Sequence, residues 1–342
     1  MTIPGSGVNA ERIRELKGVN PRALPDEVLA STEPLVLRGL AADWPMVRAA
    51  LESPAAATAY LRHFYKDATV VVMSGDPAIG GRFFYNDDLS GFNFRTYRTG
   101  LDGVLDELAR FAGDSNAPAT YVGSSAIDTV LPGFRVENDF NFGARVPLAS
   151  IWIGNRTRIA AHHDLPDNLA CVVAGHRRFT LFPPEQIGNL YVGPLDNTPA
   201  GQPISLVDFA RPDYERFPRF AEARKAARFA ELGPGDAIFI PSMWWHHIES
   251  LDAFNVLVNY WWRQSPAHMD APIGALMLAL MTVRDLPQEQ RAAWETLFRH
   301  YVFHAGDETT AHIPERARGS LGTLDAKLVS GLREIVLARL NR

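Results

Sequence analysis

Apolar and polar positions follow a period of two through the middle of the chain and a helical period on either side of it. From about residue 148 to 265, short β-branched and aromatic runs recur: Ile151-Trp152-Ile153, Leu169 to Val173, Arg178 to Phe182, Asp236 to Ile240 and Phe254 to Trp262. Gly175, Pro183-Pro184 and Gly233-Pro234-Gly235-Asp236 separate them, residues that supply turn geometry and interrupt strand pairing. One helix is expected to break the series, at about Arg219 to Glu231. Several short strands with regular turns predict a mainly β fold, a barrel or jelly roll.

The flanking regions read differently. Before residue 148, Ala10 to Lys17 has helical spacing, and Pro34 to Gly39 reads as a short strand closed by a glycine turn. Pro54 to Phe64 predicts a helix with proline at its first position and Ser53 available as its cap. Thr69 to Met73 suits a strand, Tyr85 to Asp88 with Ser90-Gly91 a loop, and Leu101 to Phe111 an amphipathic helix. After Pro266 the chain turns helical. Ala271 to Val283 is apolar nearly all round, the mark of a buried helix or an oligomer contact. Leu321, Leu324, Leu328, Leu332 and Ile335 then recur at helical spacing. Three regions follow: a mixed α/β region over 1–147 that packs on and completes the barrel, a barrel core over 148–265, and a helical extension over 266–342. So apolar a tail predicts a homodimer, which sedimentation with and without the tail would measure.

Composition narrows the function classes. The 342 residues are 46% hydrophobic and 21% charged, an ordinary globular balance, and the formal charge is −5. Interspersed charges of that sign argue against a dedicated nucleic-acid surface. Cys171 is the single cysteine and lies in an apolar run, so no intrachain disulfide forms and a small core residue is expected there. The opening Met1 to Ser6 lacks the regions of a signal peptide, and the apolar run Ile273 to Val283 is too short to span a bilayer. A cytoplasmic protein without a membrane segment is the expectation.

Candidate chemistry comes from two of the histidine-bearing stretches. Of ten histidines, His63, His176, His268, His300, His304 and His312 have no carboxylate or second histidine at ligand spacing and read as ordinary packing or surface residues. In Ala161-His162-His163-Asp164, an extended backbone puts His162 and Asp164 on one face and turns His163 away. A second histidine pair stands in Trp244-Trp245-His246-His247. Two imidazoles and a carboxylate on one face of an ion leave positions open for a cosubstrate and dioxygen, the pattern of non-haem iron(II) oxygenases. Spacing alone leaves His246 and His247 both open, because they point to opposite faces of a strand.

Around these residues the chain resembles the JmjC-type and cupin-like 2-oxoglutarate oxygenases, and their asparaginyl hydroxylases in particular. The resemblance rests on Gly154-Asn155-Arg156-Thr157 ahead of His162-His163-Asp164, then on Arg178 to Pro184, Pro212 to Pro218 and Gly233 to Asp236. Trp244 to Ser250 and Val258-Asn259-Tyr260-Trp261 complete it. It implies a double-stranded β-helix carrying iron(II), with His162, Asp164 and His247 as metal ligands and catalytic centre. It also implies 2-oxoglutarate, held by Arg177 and Tyr121 at its far carboxylate and lined by Asn168 and Asn259. Where the asparaginyl hydroxylase that the chain resembles has a lysine and a threonine, this chain has Arg177 and Ile159. Arginine can meet a carboxylate through two parallel hydrogen bonds, which calls for a differently shaped pocket. The activity so implied is hydroxylation of a substrate C–H bond, with a polypeptide side chain or a small molecule as substrate. A cupin enzyme that binds another ligand on its metal, and a non-catalytic cupin-like binding protein, are the rival readings.

Overall fold

In a computed structural model, which describes residues 11–199 and 201–341, two β-sheets face one another across the residue 11–263 unit. The smaller, six-stranded sheet runs in the order Glu11–Arg12, Arg228–Leu232, Arg177–Phe182, Trp245–Ser250, Arg158–His162, Arg82–Phe83. The nine-stranded sheet runs Arg14–Lys17, Leu35–Arg38, Ala237–Ile240, Asp167–Ala174, Asn255–Trp262, Leu148–Gly154, Ala119–Ala126, Thr69–Gly75, Phe94–Gly100. From Leu148–Gly154 to Asn255–Trp262 the chain crosses to the other sheet at every step but that from Arg177–Phe182 to Arg228–Leu232, which gives the jelly-roll arrangement anticipated from the strand pattern.

The two central strands of the large sheet show why their sequences are apolar at nearly every position. All eight residues of Asp167–Ala174 are buried. Leu169, Cys171 and Val173 face a core shared with the helices Pro45–Glu52, Pro54–Phe64 and Leu101–Arg110. Ala170 and Val172 face the space between the sheets, where Phe179 and Leu181 of the small sheet meet them. A strand covered on both faces has no solvent side to make polar. Along Asn255–Trp262 the same alternation sends Val256, Val258, Tyr260 and Trp262 to the helix side. Leu257, Asn259 and Trp261 go to the interior between the sheets, where they line a cavity.

Ser53 caps its helix as predicted, its hydroxyl accepting from the Ala56 N–H. Two local expectations fail. The part of Ala10 to Lys17 within the described residues forms the strands Glu11–Arg12 and Arg14–Lys17, paired parallel to Arg228–Leu232 and Leu35–Arg38. Ala10 lies outside the described residues. At Arg219 to Glu231 only Phe220–Lys225 is helical, and Arg228–Leu232 becomes a strand against Arg177–Phe182. In both cases an available sheet edge outweighs a local helical preference, which is small per residue.

Gly175 makes the turn by which the chain passes from Asp167–Ala174 in the large sheet to Arg177–Phe182 in the small one. Its φ is +69°, and a Cβ there would lie 2.5 Å from the Phe254 carbonyl oxygen and 2.4 Å from Asn255 Oδ1. Gly175→Ala is therefore expected to cost about 2 kcal/mol or more from backbone strain and the clash together. Urea denaturation of the variant measures it; an unchanged midpoint would contradict this account of the turn.

Residues 264–342 form a second unit. It contains the helices Ile273–Thr282, Gln288–Phe298 and Ala326–Leu340, joined internally by the Arg333–Asp270 ion pair and by His268 Nε2 at 2.9 Å from the Leu324 carbonyl. No residue of Ile273–Thr282 is buried. Among the described residues, no helix is long and apolar enough to cross a membrane.

Candidate metal centre and its cavity

His162 ends the strand Arg158–His162, and Asp164 lies two residues beyond it. Trp245–Ser250 pairs with that strand, placing His246 directly opposite His162, and the register slips by one residue between His246 and Ile248. Such bulges re-aim side chains locally. The two imidazole rings stand 4.3 Å apart between centroids, and His246 Nε2 is 3.6 Å from Asp164 Oδ2. One ligand atom from each of His162, Asp164 and His246 lies within 4.8 Å of the others, a group able to hold a metal ion.

This corrects the expectation for the third ligand. His247 points to the opposite face of its strand, where its ring packs on Phe209 at 4.8 Å and its Nε2 lies 3.7 Å from Glu249 Oε1. Consecutive residues of a strand face opposite ways, so His246 and His247 cannot both reach the ion. His163 likewise turns away and sits edge-on to Trp245.

Neighbouring groups fix the ligands' tautomers. His162 Nδ1 lies 2.9 Å from the Ala160 carbonyl and His246 Nδ1 3.0 Å from the Trp244 carbonyl. A carbonyl can only accept, so each Nδ1 carries the hydrogen and each Nε2 presents its lone pair to the centre. Burial, and then the nearby His162, push the pKa of His246 down, which favours the neutral, ligating imidazole. Asp164 accepts a hydrogen bond from Trp261 Nε1 at 3.1 Å. The turn at Pro241–Trp244, where Met243 takes a left-handed φ of +68°, donates from Met243 N–H to the Asp164 carbonyl. It also donates from Ser242 N–H to Asp167 Oδ1, so the segment carrying the carboxylate and the one leading to His246 are tied together. Trp261→Phe keeps the ring but frees Asp164 to rotate. Iron(II) affinity is expected to fall roughly tenfold or more, as when other orienting partners of metal ligands are lost; competition with a chromophoric chelator would measure it.

The group opens into a cavity of about 460 Å³ between the sheets. Met73, Phe83, Ile159, Ile204, Ile248 and Leu257 give it apolar walls. Arg177 lies deep in it, 1% exposed. Its strand neighbour is Ser250, four residues along from His246 and roughly 13 Å away at strand rise. Neither Nε nor Nη2 of Arg177 has a hydrogen-bond partner, and burial lowers its pKa while Tyr121 opposes the shift. Burial raises the Tyr121 hydroxyl to about 12, so it faces Arg177 as a neutral phenol. A buried guanidinium with unmet donors and no facing carboxylate calls for an anionic ligand.

Asn168 and Asn259 line the same cavity. Trp152 Nε1 donates to Asn259 Oδ1 at 2.7 Å, and Asn259 Nδ2 donates to Asn168 Oδ1 at 3.2 Å. The structure thus brings His162, Asp164, Arg177, Tyr121, Asn168 and Asn259 to one cavity, replaces His247 by His246, and adds Trp261 and Trp152 as orienting groups. Ile159 lies on the wall beside Ile248 and offers no hydrogen bond. An anion at the deep end therefore depends on Arg177 and Tyr121.

Comparison with known proteins agrees with this geometry. Residues 21–268 match the cupin-like domain family, and the chain belongs to it, in its JmjC-type branch. It is 32% identical over 163 residues to human HSPB1-associated protein 1, covering 45% of this chain and 32% of that protein. It is 34% identical over 132 residues to the Arabidopsis thaliana lysine-specific demethylase JMJ31, 36% of this chain and 24% of the relative. It is 31% identical over 173 residues to the Gallus gallus tRNA wybutosine-synthesizing protein 5, 46% and 49% respectively. The matched segment thus spans half or less of each of these relatives.

Proposed function

We propose that this cupin-like, JmjC-type chain is an iron(II)- and 2-oxoglutarate-dependent oxygenase that hydroxylates a substrate C–H bond. The observation that carries the reading is the pairing of two features in one cavity: a His162/Asp164/His246 group at one end and a buried Arg177 with two unmet donors at the other. A dicarboxylate with a keto group beside one acid end matches both, one end chelating the metal and the other meeting Arg177.

The donor set suits iron(II): two neutral imidazoles and a carboxylate leave three positions open. When bound, iron with 2-oxoglutarate and dioxygen supplies the oxidation of a C–H bond, with succinate and carbon dioxide as co-products. The protein's own contribution is geometric. Arg177 and the Tyr121 hydroxyl hold the far carboxylate, and Asn168 and Asn259 form a polar wall. Trp261 holds the Asp164 carboxylate in its ligating orientation, while the apolar walls exclude water from the reacting end. The substrate class that fits an acidic chain with interspersed charges is a polypeptide side chain or a small molecule, in preference to nucleic acid.

Anaerobic addition of iron(II) and then 2-oxoglutarate tests the reading. A visible charge-transfer band that needs both additions is expected. Bound iron with no band on adding 2-oxoglutarate would reject the cosubstrate and leave a cupin that uses its metal otherwise.

A further inference from the structure

The strand that presents His246 to the cavity presents His247 to its other face, where a second, smaller cavity of about 230 Å³ lies. Its walls are aromatic: Phe209 stacks on Phe220 at 4.9 Å, meets Phe182 at 5.4 Å and contacts the His247 ring at 4.8 Å. Its floor is polar. Thr180, His247 and Glu249 line it, with Arg178 bridging Glu249 and Glu231. His247 is 7% exposed, and neither ring nitrogen has a hydrogen-bond partner. Glu249 Oε1 lies 3.7 Å from its Nε2, beyond a hydrogen bond. A buried imidazole with both nitrogens unmet is costly unless something enters the cavity to meet them.

We propose that this cavity binds a single-ring aromatic alcohol, its hydroxyl hydrogen-bonding to His247 and its ring held among Phe182, Phe209 and Phe220. The chemistry of the floor selects that class. A ring nitrogen of His247 can donate or accept a hydrogen bond, and a hydroxyl can answer either. Of the two guanidinium groups that line the cavity, Arg178 is committed to two carboxylates and Arg224 donates to the Tyr214 hydroxyl. The volume exceeds the roughly 150 Å³ of an apolar cavity known to hold benzene. The occupant could be a free phenolic molecule or the tyrosine side chain of a polypeptide, since both present the same ring and hydroxyl. The site is distinct from the metal centre, and its occupancy does not depend on the oxygenase reading.

Calorimetric titration of the full chain with p-cresol, toluene and N-acetyltyrosinamide tests it. Saturable binding of p-cresol at one site is expected, about tenfold tighter than toluene, as one buried hydroxyl hydrogen bond provides. His247→Leu should erase that preference while toluene still binds. Ala227→Leu, which fills the cavity from its wall, should abolish binding of both. Equal affinity of the unsubstituted protein for p-cresol and toluene, or no saturable binding of either, overturns the proposal whether or not the variants fold. If N-acetyltyrosinamide binds as tightly as p-cresol, the site accepts a tyrosine of a polypeptide; if it is rejected while p-cresol binds, the ligand is a free molecule.

Discussion

His246→Ala is expected to abolish iron(II) binding, while His247→Ala leaves it nearly intact. Each substitution removes one buried imidazole from the same strand, so the pair isolates which face the metal occupies. Losing His246 takes away one of three protein ligands and leaves an open corner that Asp164 and His162 cannot close. The affinity should fall further than the roughly 10–100-fold that accompanies loss of a group that merely orients a ligand. Losing His247 removes a ring packed on Phe209 and a neighbour of Glu249, which affects local packing but no metal bond. Glu249 is pushed up by burial but held down to about 2 by His247 and Arg178 together, and Arg178 remains in the variant. Iron titration against a chelator for both variants would settle the assignment. Retained binding in His246→Ala with loss in His247→Ala would reverse it.

Arg177→Met should have two effects of opposite sign. Binding of 2-oxoglutarate should weaken by about a hundredfold or more, because two charge-assisted hydrogen bonds to the far carboxylate disappear and nothing else in the cavity is cationic enough to replace them. The ligand-free protein should become more stable, by about 1 kcal/mol or more, because a buried cation with two unmet donors gives way to an apolar side chain of similar length. A structural arginine held by unseen compensation would show the reverse stability change. Measuring the charge-transfer band and the thermal midpoint on one preparation separates the cases. A variant that binds 2-oxoglutarate normally would remove Arg177 from the site.

Much of the centre could be read along the chain. His162-His163-Asp164 carries its geometry in its spacing, and the turn residues between apolar runs announce strands that must fold over one another. Arg177 against Arg178 is a question of strand parity, and Phe179 and Leu181 on the buried side place Arg177 inward with them. The same parity was available at the second histidine pair. Ile248 faces the cavity, while His247 and Glu249 share the outer side with Arg178. That pattern favours His246, and the resemblance drew the reading to its neighbour instead.

Other features had no local signal. The strands Glu11–Arg12, Arg14–Lys17 and Arg228–Leu232 exist because a sheet edge was there to receive them, and no helical or strand preference within seven residues reports a partner that lies tens to hundreds of residues away. The hydrogen bond from Trp261 to Asp164 joins a strand of the large sheet to the loop after Arg158–His162, and Tyr121 faces Arg177 from the opposite sheet. By itself the sequence determined the strand-rich class, the turn positions, the short-range pair His162 and Asp164, and the type of chemistry that those residues can perform. The tertiary structure decided which histidine completes the group, which arginine is buried with two unmet donors, and what lies on the reverse of the strand. Those outcomes depend on how distant strands align, and alignment is set by packing between sheets rather than by any one segment's composition.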